Sequence, residues 1–403
     1  MAVSLALIII CGLFADYLFN KIKLPGLMGM LLVGILFGPF VFDIIQPELL
    51  TISGDLRMTA LFIILLRAGL ELKKDTLNRT GKTAAVMACF PAIVEGIAVT
   101  LLAPVFFEID YLSAAILGAV LAAVSPAVVV HFMLGLIDRN RGAVKGIPSL
   151  ILTSAAVNGV FVIVIFSILM DVAAGSGESL AWQALAIPES ILMGLIVGAA
   201  AGFALFRLFQ IYQPRATKMT LAVIAVAIML KWLEEQIAGV VNMSALLSVM
   251  TMGFILLEKS EVNAHKISSK LAKFWVFAEI LLFVLVGAQV NIWVAWEMGL
   301  LGAVLLFVAL IARSAGTWLS LWGAGLEPKE KMFCVVSGLP KATVQAAIGA
   351  LPLEMGIPGG EIILALAVLS IILTAPMGAM AISLTGDKWL SHDAPAKTLG
   401  ASQ

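Results

Sequence analysis

The chain has 403 residues, of which 62% are hydrophobic and only 12% are charged, and its formal net charge is zero. A soluble globular domain carries about 25% charged residues, so this composition excludes a soluble protein and indicates an integral membrane protein. The sequence has no phosphate-binding glycine loop, nucleophile elbow or cluster of metal ligands. We therefore predict that the protein is not an enzyme, needs no cofactor or resident metal and binds no nucleic acid.

Apolar segments long enough to cross a lipid bilayer follow one another along the whole chain. We predict an all-α polytopic membrane protein with 13 transmembrane helices, at 2–19, 24–45, 56–71, 83–107, 111–136, 144–170, 183–208, 217–233, 239–257, 271–290, 298–323, 332–354 and 360–385. The first segment lacks preceding basic residues and is followed by further spans, which favours a retained helix over a cleaved signal peptide.

The basic residues alternate between successive loops. They gather in the loops after spans 1, 3, 5, 7, 9 and 11 and in the C-terminal tail, and only Arg57, Arg67, Lys231, Arg313 and Lys341 of the 25 lie elsewhere. Because cytoplasmic loops are rich in lysine and arginine, this pattern predicts an external N-terminus, a cytoplasmic C-terminus and an odd number of spans. The compact chain without long tails favours the inner (plasma) membrane of a bacterium.

Spans 5 and 12 each carry a proline near their middle, Pro126 and Pro340. Proline removes a backbone donor, and inside a membrane the freed carbonyl groups must face protein or water. An ordinary kink is one interpretation. Two interrupted helices at corresponding positions of two halves instead indicate the midplane site of a secondary transporter. Because the two prolines lie in spans whose numbers differ by seven, an odd number, the halves are expected to have opposite orientations, as in an inverted repeat.

Two charges lie deep in apolar sequence, Glu95 in span 4 and Arg313 in span 11. An unpaired charge at this depth costs at least about 2.5 to 3.5 kcal/mol, so the two residues are expected to form an ion pair. The pair either locks two helices together or takes part in transport. Lys341, directly after Pro340, is then left without an assigned partner.

Glycines recur at four-residue spacing in spans 2 and 7, at Gly34 and Gly38 and at Gly194, Gly198 and Gly202. Such spacing lets the backbones of two membrane helices approach closely, so we predict close packing on these faces.

Four segments carry a resemblance to a known family. SPAVVV at 125–130, GIPSLILTSAAVNGVF at 146–161, LLFVLVGAQV at 281–290 and GLPKATVQAAIGA at 338–350 resemble the monovalent cation:proton antiporter superfamily, most closely its NHA-type sodium/proton exchanger group. The resemblance extends over nearly the whole chain. It implies an inverted-repeat antiporter fold with two crossed discontinuous helices, a homodimer in the membrane lipid, and an elevator-type exchange of sodium or potassium for protons.

The resemblance also implies a division into domains. Residues 1–80 and 213–294 are then the two parts of a dimerisation domain, 81–172 and 295–387 are the two parts of a core transport domain, 173–212 is a linker helix and 388–403 is a cytoplasmic tail.

Carried over position by position, the resemblance matches Glu95 and Arg313 to an intramembrane charge pair, Ser125 and Pro126 to the first unwound segment, and Lys341 to the base of the second. Together with neighbouring hydroxyl groups, the candidate substrate-binding or ion-binding residues are Ser125, Thr153, Ser154, Asn158, Gly159, Lys341 and Thr343.

This sequence departs from the family at Asn158 and Gly159, where the family has Asp-Asp or Asn-Asp. The second residue of that pair is ordinarily the carboxylate that binds the cation and alternately a proton, and glycine can do neither. Exchange at one site needs a titratable group, which leaves Glu95 or Lys341 to take the proton. Two alternatives stay open: a transporter of anions or organic acids that uses Lys341 as counter-charge, and a non-transporting sensor on the same scaffold.

Overall fold

The computed structural model describes residues 1–22, 24–71, 74–142, 144–174, 180–237, 241 and 243–392. In these ranges the chain is helical, apart from turns, short extended stretches and one isolated bridge between Arg141 and His392. The helices are α1 (Ala2–Lys21), α2 (Gly26–Phe37), α3 (Pro47–Thr51), α4 (Ser53–Glu71), α5 (Lys74–Phe107), α6 (Tyr111–Ala122), α7 (Pro126–Asp138), α8 (Ile147–Ala173), α9 (Leu180–Tyr212), α10 (Ala216–Ile237), α11 (Ala245–Lys259), α12 (Glu261–Ala288), α13 (Ile292–Ser320), α14 (Pro328–Ser337), α15 (Thr343–Ile348), α16 (Leu351–Glu354) and α17 (Gly360–Trp389).

Among the described residues, eight helices are long and apolar enough to cross a membrane: α1, α5, α8, α9, α10, α12, α13 and α17. Two shorter apolar helices, α2 and α6, add to them. The predicted class, an all-helical multi-pass membrane protein, is confirmed, while the exact number of thirteen spans stays a prediction. The predicted tail lies largely outside the described residues, because 393–403 are not among them.

The ends of several helices differ from those of the predicted spans, because a helix and an apolar segment need not begin and end at the same residue. Helices α5 and α12 begin at Lys74 and Glu261, well before the predicted spans, because a helix continues into its polar surroundings where hydropathy falls. Helix α2 ends early, at Phe37, although the sequence stays apolar to residue 45. Gly38 has an extended backbone there, the conformation favoured by a residue that precedes proline.

The helices pack in two groups. The first, called the crossing group, comprises α5 to α8 and α13 to α17, with α5 packed along α13, α6 and α8. The second, called the flanking group, comprises α1 to α4 and α9 to α12, with α12 packed on α2 and α4 and with α11 packed on α9 and α4. The groups meet mainly where α15 packs on α4 and α12 and where α8 packs on α9 and α11.

The predicted close packing of glycines is confirmed in the flanking group. A Cβ atom built on Gly34 of α2 would collide with the carbonyl of Val284 in α12. On α9, a Cβ on Gly194 would lie 3.0 Å from the carbonyl oxygen of Ser244, and one on Gly198 would collide with the carbonyl of Ser248. Helix α9, predicted to be a linker, thus packs tightly along α11.

Both predicted helix interruptions are present, and they contact each other. Helix α6 ends at Ala122 and α7 begins at Pro126, while α14 ends at Ser337 and α15 begins at Thr343. Each gap lies beside its proline, which supplies no N–H and disfavours helical geometry in the preceding residue. The N–H of Ser125 donates a hydrogen bond of 2.9 Å to the carbonyl oxygen of Pro340, so the two gaps lie side by side in the crossing group.

Candidate functional site

Three buried charges meet beside the two interruptions. Arg313 Nη1 lies 2.6 Å from Glu95 Oε2, and Lys341 Nζ lies 2.6 Å from Glu95 Oε1. The side chains of Glu95 and Lys341 are fully buried and that of Arg313 is 3% exposed. The sequence predicted an ion pair between Glu95 and Arg313 and assigned no partner to Lys341. The structure brings all three residues together as one cluster with one carboxylate and two bases.

Close packing of α5 and α13 positions the first two members. A Cβ atom built on Gly316 of α13 would lie only 2.9 Å from the Cα atom of Pro91 in α5, so glycine is needed for the two helices to approach this closely. Arg313 lies one turn before Gly316, and Glu95 lies one turn after Pro91. The helix contact therefore sets the length of the Glu95–Arg313 ion pair.

The carbonyl end of α6 accepts hydrogen bonds from side chains of α13, of α15 and of the second interruption. Arg313 Nη1 donates to Ala122 O at 2.7 Å, and Lys341 Nζ donates to Leu121 O. Gln345 Nε2 donates to Val120 O at 3.0 Å and to Ala123 O at 2.8 Å. The last carbonyl groups of a helix lack partners within it and carry its partial negative charge. The end of α6 thus solvates both bases of the cluster.

The side-chain amide of Asn158, in α8, forms hydrogen bonds with the backbone at the first interruption. Its Oδ1 accepts from the N–H of Val124 at 2.7 Å, and its Nδ2 donates to the carbonyl oxygen of Ala88 at 2.9 Å. A longer contact of 3.5 Å joins Nδ2 to Ala122 O. Both ends of the amide are therefore occupied by backbone groups of α5 and of the first interruption. In this conformation Asn158 links the backbone of α5 to that of the first interruption.

Gly159, the neighbour of Asn158, is buried, yet it is not crowded. A Cβ atom built there meets no heavy atom within 4 Å among the described residues. This contrasts with Gly316 and the packed glycines of the flanking group. Close approach of helices therefore gives no reason for glycine at this position.

The remaining predicted residues divide into two sets. Ser125 Oγ and Thr343 Oγ1 face each other at 3.4 Å across the two interruptions, next to the cluster in sequence and space. Thr153 Oγ1 donates to Ser149 O, four residues earlier in its own helix, at 2.9 Å. Ser154 is buried on the same helix. The structure thus brings Ser125 and Thr343 to the interruptions and leaves Thr153 bonded within α8.

Sequence reasoning missed Gln345 and Thr374. The hydroxyl of Thr374 in α17 accepts a 2.9 Å hydrogen bond from the N–H of Lys341, which fixes the second interruption. Gln345 is fully buried, and its Oε1 has no hydrogen-bond partner within the part of the chain that the structure describes. Gln345 lies four residues after Lys341. This spacing, about one helical turn, was the feature of the sequence that could have indicated Gln345 as a site residue. Thr374 gave none, because its partner is a backbone group distant in sequence.

Comparisons with known proteins show the family to which the chain belongs. The family described as "Sodium/hydrogen exchanger, transmembrane" matches residues 5–386. Human "Sodium/hydrogen exchanger 9B1" is 31% identical over 391 residues, which cover 93% of this chain and 74% of that protein. Mouse "Sodium/hydrogen exchanger 9B2" is 32% identical over 406 residues, which cover 94% of this chain and 72% of that protein.

Among solved structures, the sodium proton antiporter MjNhaP1 from Methanocaldococcus jannaschii at pH 8 superposes with a TM-score of 0.80 at 19% identity. The superposition covers 94% of this chain and 96% of that one and shows a shared fold. The relatives are exchangers rather than enzymes, and the resemblance predicted from the sequence motifs is confirmed. This chain belongs to the transmembrane sodium/hydrogen exchanger family.

Proposed function

We propose that this protein exchanges a monovalent cation, sodium or potassium, for a proton, and that Lys341 carries the proton. The contact that supports this assignment is the 2.6 Å approach of Lys341 Nζ to Glu95 Oε1 between two fully buried side chains. The usual second aspartate is absent, since Gly159 occupies its position. A titratable group must then come from the cluster itself.

Of the two bases, only lysine can release its proton, because the guanidinium of arginine remains charged in proteins. Loss of that proton removes the cationic partner of Glu95 Oε1 and leaves Oε2 with Arg313. A sodium or potassium ion then takes the place of the ammonium group beside Oε1. Uptake of a proton by Lys341 restores the ammonium and displaces the ion. One cation is exchanged for one proton, so the proposed cycle leaves the charge of the site unchanged.

Neutral oxygen atoms next to the cluster suit a cation that has lost part of its hydration shell. The hydroxyl groups of Ser125, in the first interruption, and of Thr343, directly after the second, lie 3.4 Å apart. The carbonyl end of α6 adds partial negative charge. We assign Asn158 to holding the backbone, because Val124 and Ala88 already occupy its amide.

We further propose that the crossing group is the transport domain and that it moves against the flanking group in an elevator-type cycle. The flanking group then forms the interface of a homodimer in the inner membrane, with the N-terminus outside. The packing supports this division, because the two groups meet through few helices, chiefly α15 and α8.

Transport by purified protein in liposomes tests the proposal. We expect a gradient of sodium, potassium or lithium to drive proton movement in the wild type. Lys341→Gln should abolish this movement while retaining a donor for Leu121 O. Lys231→Gln is the matched control, because Lys231 pairs with Glu234 at a helix end far from the site in sequence and should leave transport intact. Coupled transport by Lys341→Gln at the wild-type rate would refute the assignment of the proton to Lys341.

Transport of an anion or organic acid is a second candidate, because the cluster holds two bases and one carboxylate. It requires Lys341 to stay charged and to pair with the substrate. Anion binding that is lost in Lys341→Gln and retained in Glu95→Gln would favour this candidate. The present contacts favour the cation, because Lys341 Nζ already faces a carboxylate and a helix carbonyl end.

A further inference from the structure

A second buried charge contact lies outside the site and joins the two packing groups. Arg57 of α4, in the flanking group, forms an ion pair through Nη2 with Oε1 of Glu354, the last residue of α16 in the crossing group. The side chain of Arg57 is only 2% exposed, whereas that of Glu354 is 27% exposed. This pair lies at the end of the helices that the basic-loop pattern predicts to be external.

The other described partners of Glu354 also belong to the flanking group. Gln289 Nε2, at the end of α12, lies 3.2 Å from Glu354 Oε1 and donates to Ser53 Oγ at 3.1 Å. A Cβ atom built on Gly54 would lie 3.4 Å from Glu354 Oε2. The carboxylate therefore lies against the first turn of α4, where the partial positive charge of the helix favours an anion.

A short segment of the chain connects the Arg57–Glu354 ion pair to the charge cluster. Glu354 ends the short segment that follows α15, and α15 begins at Thr343, two residues after Lys341. Helix α15 itself packs on α4 and α12 of the flanking group. The opposite half-helices, α7 and α14, pack chiefly on α8, α13 and α17 within the crossing group. The crossing group is thus held to the flanking group at the Arg57 end of the bundle and is less attached at the other end.

We propose that Arg57 and Glu354 form a latch that keeps the site closed toward the Arg57 side of the membrane. Exposure of the site to that side requires the two groups to separate there, which breaks the ion pair and the contact with Gln289. Arg57 then loses its counter-ion, which disfavours the separated state. The proposal rests on the relative movement proposed above, but it does not depend on which ion is transported.

Cysteine accessibility tests the latch without a transport assay. The parent carries Ser125→Cys as reporter and lacks the native Cys11, Cys89 and Cys334. A membrane-impermeant maleimide is added on the Arg57 side of liposomes with sorted orientation. We expect Glu354→Gln to raise the labelling rate of the reporter about tenfold, a shift of about 1.4 kcal/mol between the two states. Arg57→Gln should act in the same direction.

Asp387→Asn is the matched control. Asp387 also pairs with an arginine, Arg139 at 2.8 Å, but both residues belong to the crossing group. Its labelling rate should equal that of the parent. If Arg57→Gln fails to fold, Glu354→Gln alone decides, because Gln289 and solvent can still satisfy the half-buried amide. An unchanged rate in folded Glu354→Gln, or an equal rise in Asp387→Asn, would overturn the latch. A latch effect in a protein that shows no cation-coupled flux would refute the proposed function and leave the latch standing.

Discussion

The two interrupted helices begin alike and end differently. Helix α6 is capped at its start by Asp110, whose Oδ2 accepts from the N–H groups of Leu112 and Ser113 at 3.0 and 3.1 Å. Helix α14 starts with a capping box in which Glu330 Oε2 accepts from the N–H of Glu327 at 2.7 Å. Lys145 adds a 2.8 Å hydrogen bond to Glu330, which raises the pKa of that lysine above its usual value.

At their inner ends, only α6 collects charged side chains. Its last carbonyl groups accept from Arg313 and Lys341, and from the amide of Gln345. The end of α14 is closed by its own backbone, since the N–H groups of Gly338 and Leu339 donate to Val335 O and Val336 O. One interruption thus supplies acceptors and the other supplies the lysine that uses them. Two structurally similar breaks contribute opposite halves of one charge cluster.

The largest effect should follow from removing the carboxylate of Glu95, which pairs with both bases of the cluster. Glu95→Leu leaves Arg313 and Lys341 buried with carbonyl groups alone. We expect a loss of about 3 to 5 kcal/mol, or failure to fold, because both buried bases lose the counter-ion that they share. Thermal unfolding in detergent measures the loss. Glu235→Leu, at an exposed glutamate, is the control, and equal destabilisation of both variants would contradict the cluster as described.

The next effect distinguishes the two breaks directly. Asn158→Ala deprives the Val124 N–H and the Ala88 carbonyl of their partner at the end of α6, and we expect a cost of about 1 to 3 kcal/mol. Ser337→Ala is the counterpart at the end of α14. The Ser337 hydroxyl donates only to Phe333 O, one turn earlier in its own helix, so its loss should cost roughly 0.5 kcal/mol or less. Equal unfolding temperatures for the two variants would refute the asymmetry.

The capped start of α6 gives a smaller and pH-dependent effect. Burial raises the pKa of Asp110, but hydrogen bonds from the Ser113 hydroxyl and from the N–H groups of Ser113 and Leu112 outweigh it and lower the pKa below 3.8. The stabilisation is therefore present above the unfolded pKa and is lost as the pH falls through the folded pKa.

Asp110→Ala should cost about 0.5 to 2 kcal/mol at neutral pH, as for other N-cap replacements. Asp110→Asn is the matched control, because asparagine keeps the cap at every pH. Acid unfolding should show a step due to Asp110 in the wild type, and the step should be missing in Asp110→Asn. A step of the same size in both proteins would assign it to another group.

The sequence predicted features that depend on local composition or on the cost of isolated groups. The length of the apolar segments indicated the helices, and Pro126 and Pro340 indicated the interruptions. The free-energy cost of an unpaired buried charge predicted the ion pair between Glu95 and Arg313. Contacts between side chains and remote backbone groups could not be predicted, because no pattern in the chain records them. Asn158 was predicted as an ion ligand from its position in the motif, and its hydrogen bonds to the backbone of Val124 and Ala88 could not be predicted.

Arg57 shows the same limit at the contact between the two packing groups. Near the start of a predicted span it resembled an ordinary loop residue, since basic residues at span ends commonly reach water. Its partner Glu354 lies almost three hundred residues later in the chain, and only the packing of α15 on α4 brings the two together. Residues that join two packing groups are thus the hardest to find from sequence.

The smallest structural effect, at Gly159, is the most informative about ion chemistry. Because a Cβ atom there meets no described atom within 4 Å, Gly159→Ala should fold normally and gain up to about 1 kcal/mol from the lower helix propensity of glycine. Gly159→Asp adds a carboxylate at the position that the resemblance matches to an ion-binding aspartate. We expect it to strengthen cation-dependent proton flux in liposomes, with Gly159→Ala as the control for backbone effects. Unchanged flux in Gly159→Asp would mean that the cation does not pass beside α8, whereas an equal rise in both variants would assign the gain to helix stability rather than to the added charge.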